Sequence, residues 1–120
     1  MFSVEKFIVK EYDKKNYNCW YFACDVWSSL TGQLYTPDSV DNYQPTAQLH
    51  EKALNIAATF VTLDGPRSPC FVLMRRQRLE PHVGVFINGN ILHLNERGAF
   101  YAPAHTVTAI YPTVTYHAPK

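Results

Sequence analysis

Cys19, His82 and His93 are the residues whose types and placing could support covalent catalysis. Cys19 follows Asn18, a residue type that caps helix N-termini, and Ala23, Val26, Trp27 and Leu30 then recur at the spacing of one helical face. The spacing predicts a helix over 19–31 that opens at the cysteine and is closed by Gly32. In a first helical turn, unpaired backbone N–H groups and the helix dipole favour an anion. Such a position can draw a thiol pKa from about 8.5 toward roughly 3.5–7.5. Taken by itself, such a cysteine is more often a small buried apolar residue on the inner face of the helix.

The histidines lie in a segment with hairpin character. Asn88-Gly89 separates two β-like runs and is the favoured pair for a two-residue type I′ turn. That turn sets Ile87 opposite Asn90, Gly84 opposite His93 and His82 opposite Asn95. Side chains alternate along strands, so His82, Gly84, Phe86, Ile91, His93 and Asn95 share one face. The two histidines become diagonal neighbours across the bare backbone of Gly84. This face is expected to turn toward the N-terminus of the cysteine helix. A thiol, a base and groups to orient the base would then be assembled. A lone strand histidine can also be an ordinary core or surface residue, and a Cys-His-His group can hold zinc. Only Asn95 or a solvent molecule offers a further donor here, so no metal and no cofactor are expected.

The elements that must position these residues follow from the rest of the chain. Residues 2–13 are mixed and allow a short helix. The stretch 33–45 has turn chemistry, and a second helix is expected over 46–60, with Leu49, Ala53, Ile56, Ala57 and Phe60 on its apolar face. After Asp64-Gly65-Pro66, short strands are expected at 70–75, 82–87, 91–94, 98–101 and 107–111. Helices first and strands afterwards indicate an α+β domain with an antiparallel sheet, read as a single domain over 1–120. The opposite hairpin face, Val83, Val85, Ile87, Leu92 and Leu94, is apolar too. A four-turn helix over 46–60 spans roughly 20 Å and strands lie about 4.8 Å apart, so part of this face is expected to stay open for a partner.

The composition is that of an ordinary globular protein, with 47% apolar residues, 14% aromatics and a net charge of +1 over 120 residues. Nothing in that balance points to nucleic acid or to an anionic membrane, and no apolar run approaches the roughly 20 residues of a membrane helix. The start of the chain lacks signal-peptide character, which predicts a protein made in the cytoplasm. Three cysteines, Cys19, Cys24 and Cys70, argue against a disulfide framework. Cys24 and Cys70 are expected to be structural, and His50, His105 and His117 to lie at the surface. Arg75, Arg76 and Arg78 form the main charge cluster; they are expected to be a solvated loop, or else to steer an anionic polymer.

Tyr17-Asn18-Cys19-Trp20, then the run FVLMRR at 71–76, then HVGVFINGNILH at 82–93, resembles the NlpC-type cysteine peptidases, and especially the short versions in phage tail modules. The likeness spans about residues 17–101. Its specificity lies in an H-V-G-hydrophobic hairpin closing on a second histidine, downstream of a cysteine that opens a helix. The resemblance implies a papain-like NlpC-type fold in which Cys19 attacks a carbonyl carbon, His82 takes and returns the proton, and His93 orients His82. The oxyanion hole would be the Cys19 backbone N–H plus an upstream donor. A tyrosine often serves there, and Tyr12 and Tyr17 are the candidates, with Asn95 as a support for the histidines. Two departures stand out: many members carry aspartate where this chain has Asn18, and the His82-to-His93 spacing is slightly tighter than in well-known cell-wall enzymes.

The resemblance implies a peptidoglycan stem-peptide substrate, other phage tail proteins as partners, and incorporation into a virion tail. Two other functions fit the same residues. One is a structural or interaction module of a tail that keeps the fold without turnover, for which the second apolar hairpin face is the motive. The other is a deamidase, transamidase or acyltransferase using the same three residues.

Overall fold

In the computed structural model, which describes residues 2–34, 60–77, 79 and 81–119, the capping role expected of Asn18 is fulfilled. A short first helix, α1 (Glu5–Ile8), buries only Phe7. The chain then makes a tight turn in which Asp13 and Tyr17 exchange backbone hydrogen bonds and the Asp13 carboxylate accepts from the N–H groups of Lys15 and Asn16. Helix α2 (Cys19–Thr31) follows. The Asn18 side-chain oxygen accepts from the N–H groups of Trp20 at 3.0 Å and Tyr21 at 3.3 Å, and Gly32 closes the helix at φ 76°. Both ends fall where the cap chemistry placed them.

The remaining elements are β1 (Phe60–Leu63), β2 (Cys70–Arg75), β3 (His82–Ile87), β4 (Asn90–Asn95), β5 (Gly98–Pro103), α3 (Ala104–Thr108) and β6 (Thr113–Pro119). They form an α+β arrangement around an antiparallel sheet of order β1-β6-β2-β3-β4-β5. The β3–β4 turn is type I′, with positive φ at Asn88 (51°) and Gly89 (87°). The resulting register pairs Ile87 with Asn90 and Gly84 with His93, as the turn chemistry requires.

Two strand expectations are corrected. The run 107–111 is not a strand: residues 104–108 form α3. Ala104, Val107 and Tyr111 recur at helical spacing and pack together on Val72, Met74 and Ile91. Burying one stripe of three side chains outweighs the β preference of an isolated valine and isoleucine. The strand instead follows Pro112, where Thr113–His117 pair with β2 and Tyr116–Pro119 pair with β1. Phe60, expected to end a helix, begins β1. The rest of the expected helix over 46–60 lies outside the described residues, as do His50 and Arg78.

The larger core lies between α2 and one face of the sheet. Trp20, Ala23, Val26 and Trp27 meet Phe71, Leu73, Val83, Val85, Leu92 and Leu94, and Phe71 sits against Trp27 with ring centroids 4.6 Å apart. This overturns the expectation that Val83, Val85, Ile87, Leu92 and Leu94 leave surface for a partner, since the most exposed of them, Ile87, is only 5% exposed. The five residues occupy just two adjacent strands. A helix about 10 Å across covers two strands about 4.8 Å apart, and α2 packs against both of them. His117, expected at the surface, is also buried, between Thr115 and Thr62. Cys24 and Cys70 are buried with their thiols pushed up by that burial, whereas His105 is exposed.

Candidate active site

His82 is the first residue of β3 and Asn95 the last of β4, so both stand at the same end of the sheet. The register puts Gly84, Phe86, Ile91 and His93 on the face opposite α2, which corrects the expectation that the whole histidine face turns toward the cysteine helix. Cys19 at the helix N-terminus and His82 line one cleft at this end, where the strands stop. There Tyr12, Cys19, Leu79, Pro81, His82, Leu94, Asn95, Glu96 and Tyr111 line a cleft of about 330 Å³. Leu94 comes from the face that packs on α2 and His82 from the other, so the cleft wraps around the sheet end.

The imidazole pair is well defined. His82 Nε2 lies 2.8 Å from His93 Nδ1, and the rings are nearly perpendicular, at 76° with centroids 5.0 Å apart. Gly84 makes this possible. A Cβ there would stand 2.7 Å from Ile91 Cγ2 and 3.1 Å from His93 Cβ, closer than ordinary packing allows. Burial, and then the neighbouring charge of His93, hold His82 well below the usual imidazole range, and burial alone does the same to His93. Both rings are therefore neutral near pH 7, and one must donate to the other. If His82 donates from Nε2, its Nδ1 is left with a lone pair that can accept a proton.

Cys19 opens α2 and is almost wholly enclosed, at 5% exposed, while contributing to the cleft wall. The phenol of Tyr111 is pushed up first by burial and then by charge at Cys19, with Arg76 acting in the opposite sense, so thiol and phenol share one electrostatic environment. Of the two upstream tyrosines, Tyr12 lines the cleft, whereas Tyr17 donates its hydroxyl to the Asp25 carboxylate and is not among the lining residues. Asn95 lines the cleft too, but its side-chain oxygen accepts from the Arg97 N–H at 2.8 Å, closing the β4–β5 turn. His93 stands behind His82 and does not line the cleft. Arg76 is exposed and Arg75 is partly buried at the end of β2.

Tyr111 was missed by sequence reasoning. Its ring is nearly parallel to that of His82, at 14° with centroids 6.2 Å apart. No sequence signal marks it, because a helix and a turn separate it from β5 and only the fold carries it back to the start of β3. Among the described residues, no group of three His, Cys, Asp or Glu side chains is spaced to hold a metal ion.

Compared with protein-family models, with curated proteins and with solved structures, the chain matches none.

Proposed function

We propose that this chain is a cysteine hydrolase of the papain-like NlpC type, with Cys19 as nucleophile, His82 as base and His93 as the group that orients the base. The observation that carries the reading is one of placement. A thiol at the first residue of a helix and the outer member of a hydrogen-bonded imidazole pair line the same cleft. The helix N-terminus favours the thiolate form. A proton passes from the Cys19 Sγ to His82 Nδ1, the sulfur adds to the substrate carbonyl carbon, and the proton then goes to the departing amine as the C–N bond breaks. Water then gives a proton to His82 Nδ1 as its oxygen adds to the thioester carbon, the C–S bond breaks to release the carboxylic acid, and the proton returns from His82 to the sulfur. His93 Nδ1 accepts the His82 Nε2–H throughout, which fixes the tautomer that the first step needs. The Cys19 backbone N–H would serve the oxyanion, and of the two upstream tyrosines Tyr12, which lines the cleft, is the candidate to join it.

The motif resemblance directs the substrate toward a peptidoglycan stem peptide, with a phage tail as the setting. The structural-module alternative loses its motive, because the apolar hairpin face on which it rested is buried under α2. The test is incubation with purified peptidoglycan fragments, with products assigned by mass spectrometry, alongside alkylation of the three thiols at mildly acidic pH. New amine and carboxyl ends from the wild type, lost in Cys19→Ala, are expected, together with labelling of Cys19 well ahead of Cys24 and Cys70. Uncut fragments and three equally slow thiols would refute the enzyme.

A further inference from the structure

A hydrogen bond from one ring nitrogen anchors an imidazole at a point and leaves the ring free to tilt about it. His82 has that anchor at His93 Nδ1, 2.8 Å from its Nε2. What the pair lacks is a constraint on the plane of the ring, and the plane decides where the other nitrogen, Nδ1, points. Tyr111 lies against the His82 ring at 14°, with centroids 6.2 Å apart, within the range of offset aromatic stacking. We infer that Tyr111 is a positioning residue that sets the plane of the His82 ring and so aims its Nδ1 into the cleft shared with Cys19. This rests on the hydrolase reading for its catalytic meaning, but not for its physical content.

Tyr111 is itself held in place. Its N–H donates to the Thr108 carbonyl at 2.9 Å as the chain leaves α3, and its ring packs with Ala104, Val107, Phe86 and Val114 around Val72, Met74 and Ile91. Helix α3 is tied to the β3–β4 turn by the bond from the Ala104 N–H to the Gly89 carbonyl at 3.0 Å. The hairpin that bears both histidines thus also carries the element that places the stacking ring. Other polar groups around His82 are Cys19 from α2, His93 and Asn95 from β4, Glu96 from the β4–β5 turn and Tyr12 ahead of α2, and the charge of Arg76 acts on Tyr111.

The inference separates the tyrosine ring from its hydroxyl. Tyr111→Phe keeps the face, whereas Tyr111→Leu keeps apolar bulk for the α3 cluster and removes it. The intact protein is followed by two readouts that need no substrate: the rate of Cys19 alkylation by iodoacetamide across pH, and the ring resonances of His82 and His93 through a pH titration. Tyr111→Phe is expected to leave both profiles in place. Tyr111→Leu is expected to slow Cys19 alkylation near neutral pH about tenfold and to shift the His82 titration, because a misaimed partner of about 1 Å can cost that much or more. Tyr111→Met, a flexible apolar replacement, gives the same comparison if the leucine protein does not fold. Leucine and methionine proteins that reproduce the wild-type alkylation profile and His82 titration would overturn the positioning role. That result would leave the hydrolase reading standing if the wild type cuts peptidoglycan fragments. A Tyr111→Phe protein as slow as Tyr111→Leu would also overturn it, by moving the effect from the ring to the hydroxyl.

Discussion

At the scale of single residues, two histidines with similar surroundings are given different tasks by which of them reaches the cleft. His82 lines it and His93 stands behind, joined at 2.8 Å. His82→Ala is therefore expected to abolish peptidoglycan cleavage, whereas His93→Ala leaves a weakened activity, since orienting a base contributes less than being one. Turnover of the two variants on the same fragments checks this, and equal loss at both positions with folding intact would remove the hierarchy. Gly84 is the residue on which the pair depends. Gly84→Ala brings a methyl group into contact with Ile91 and His93 and should cost about 1–3 kcal/mol, as overpacking does. Denaturant unfolding measures that cost. The alkylation rate of Cys19 should fall with it, because making room for the methyl shifts β3 against Ile91 and His93 and so disturbs the imidazole pair.

At the scale of elements, the reactive cysteine is only as well placed as the helix end that carries it. Asn18 is 1% exposed and its side-chain oxygen satisfies two N–H groups of the first turn. Asn18→Ala should destabilise the protein by about 0.5–2 kcal/mol, the usual effect of losing a cap, seen as an earlier midpoint in urea. It should also fray the first turn and slow labelling of Cys19 more than the loss of stability alone explains. Asn18→Asp, the residue many NlpC-type members carry there, keeps the capping acceptor and should preserve the fold. It sets a carboxylate beside the thiol, so the labelling rate should move to higher pH, as expected when a negative charge disfavours a second one nearby.

At the scale of the whole molecule, two buried histidines and the half-buried His82 make folding sensitive to acid. His82 and His93 are held below the ordinary imidazole value of 6.5, His93 to about 4, and His117 is lowered by burial and by Arg75. Below pH 6.5 the unfolded chain takes up protons at these positions and the folded chain does not. Stability is thus fully present above that value and falls as the pH drops toward about 4. Urea midpoints measured at several pH values should show this decline, and His117→Gln should remove its share of the slope without touching the cleft. A midpoint that is flat between neutral pH and pH 5 would contradict the desolvation of these three rings.

The sequence by itself determined what depends on a few neighbouring residues. Asn18 and Gly32 mark both ends of α2 because caps act on the four backbone groups beside them, and Asn88-Gly89 sets the hairpin register because a type I′ turn needs two positive φ angles in a row. Those two local rules were enough to place Cys19 at a helix start and to make neighbours of His82 and His93. Tertiary structure decided the rest. Side-chain alternation names two faces of a strand but does not say which one a helix will cover, and α2 covered the face without the histidines, leaving thiol and imidazole to line one cleft at the sheet end. In the same way, 104–111 became a helix and a turn because Ala104, Val107 and Tyr111 together bury the sheet's other face, a gain that arises only once Val72, Met74 and Ile91 are assembled beside them. Tyr111 reached His82 by that route, since a contact between residues so far apart in the chain is created by packing and leaves no pattern in the order of the residues.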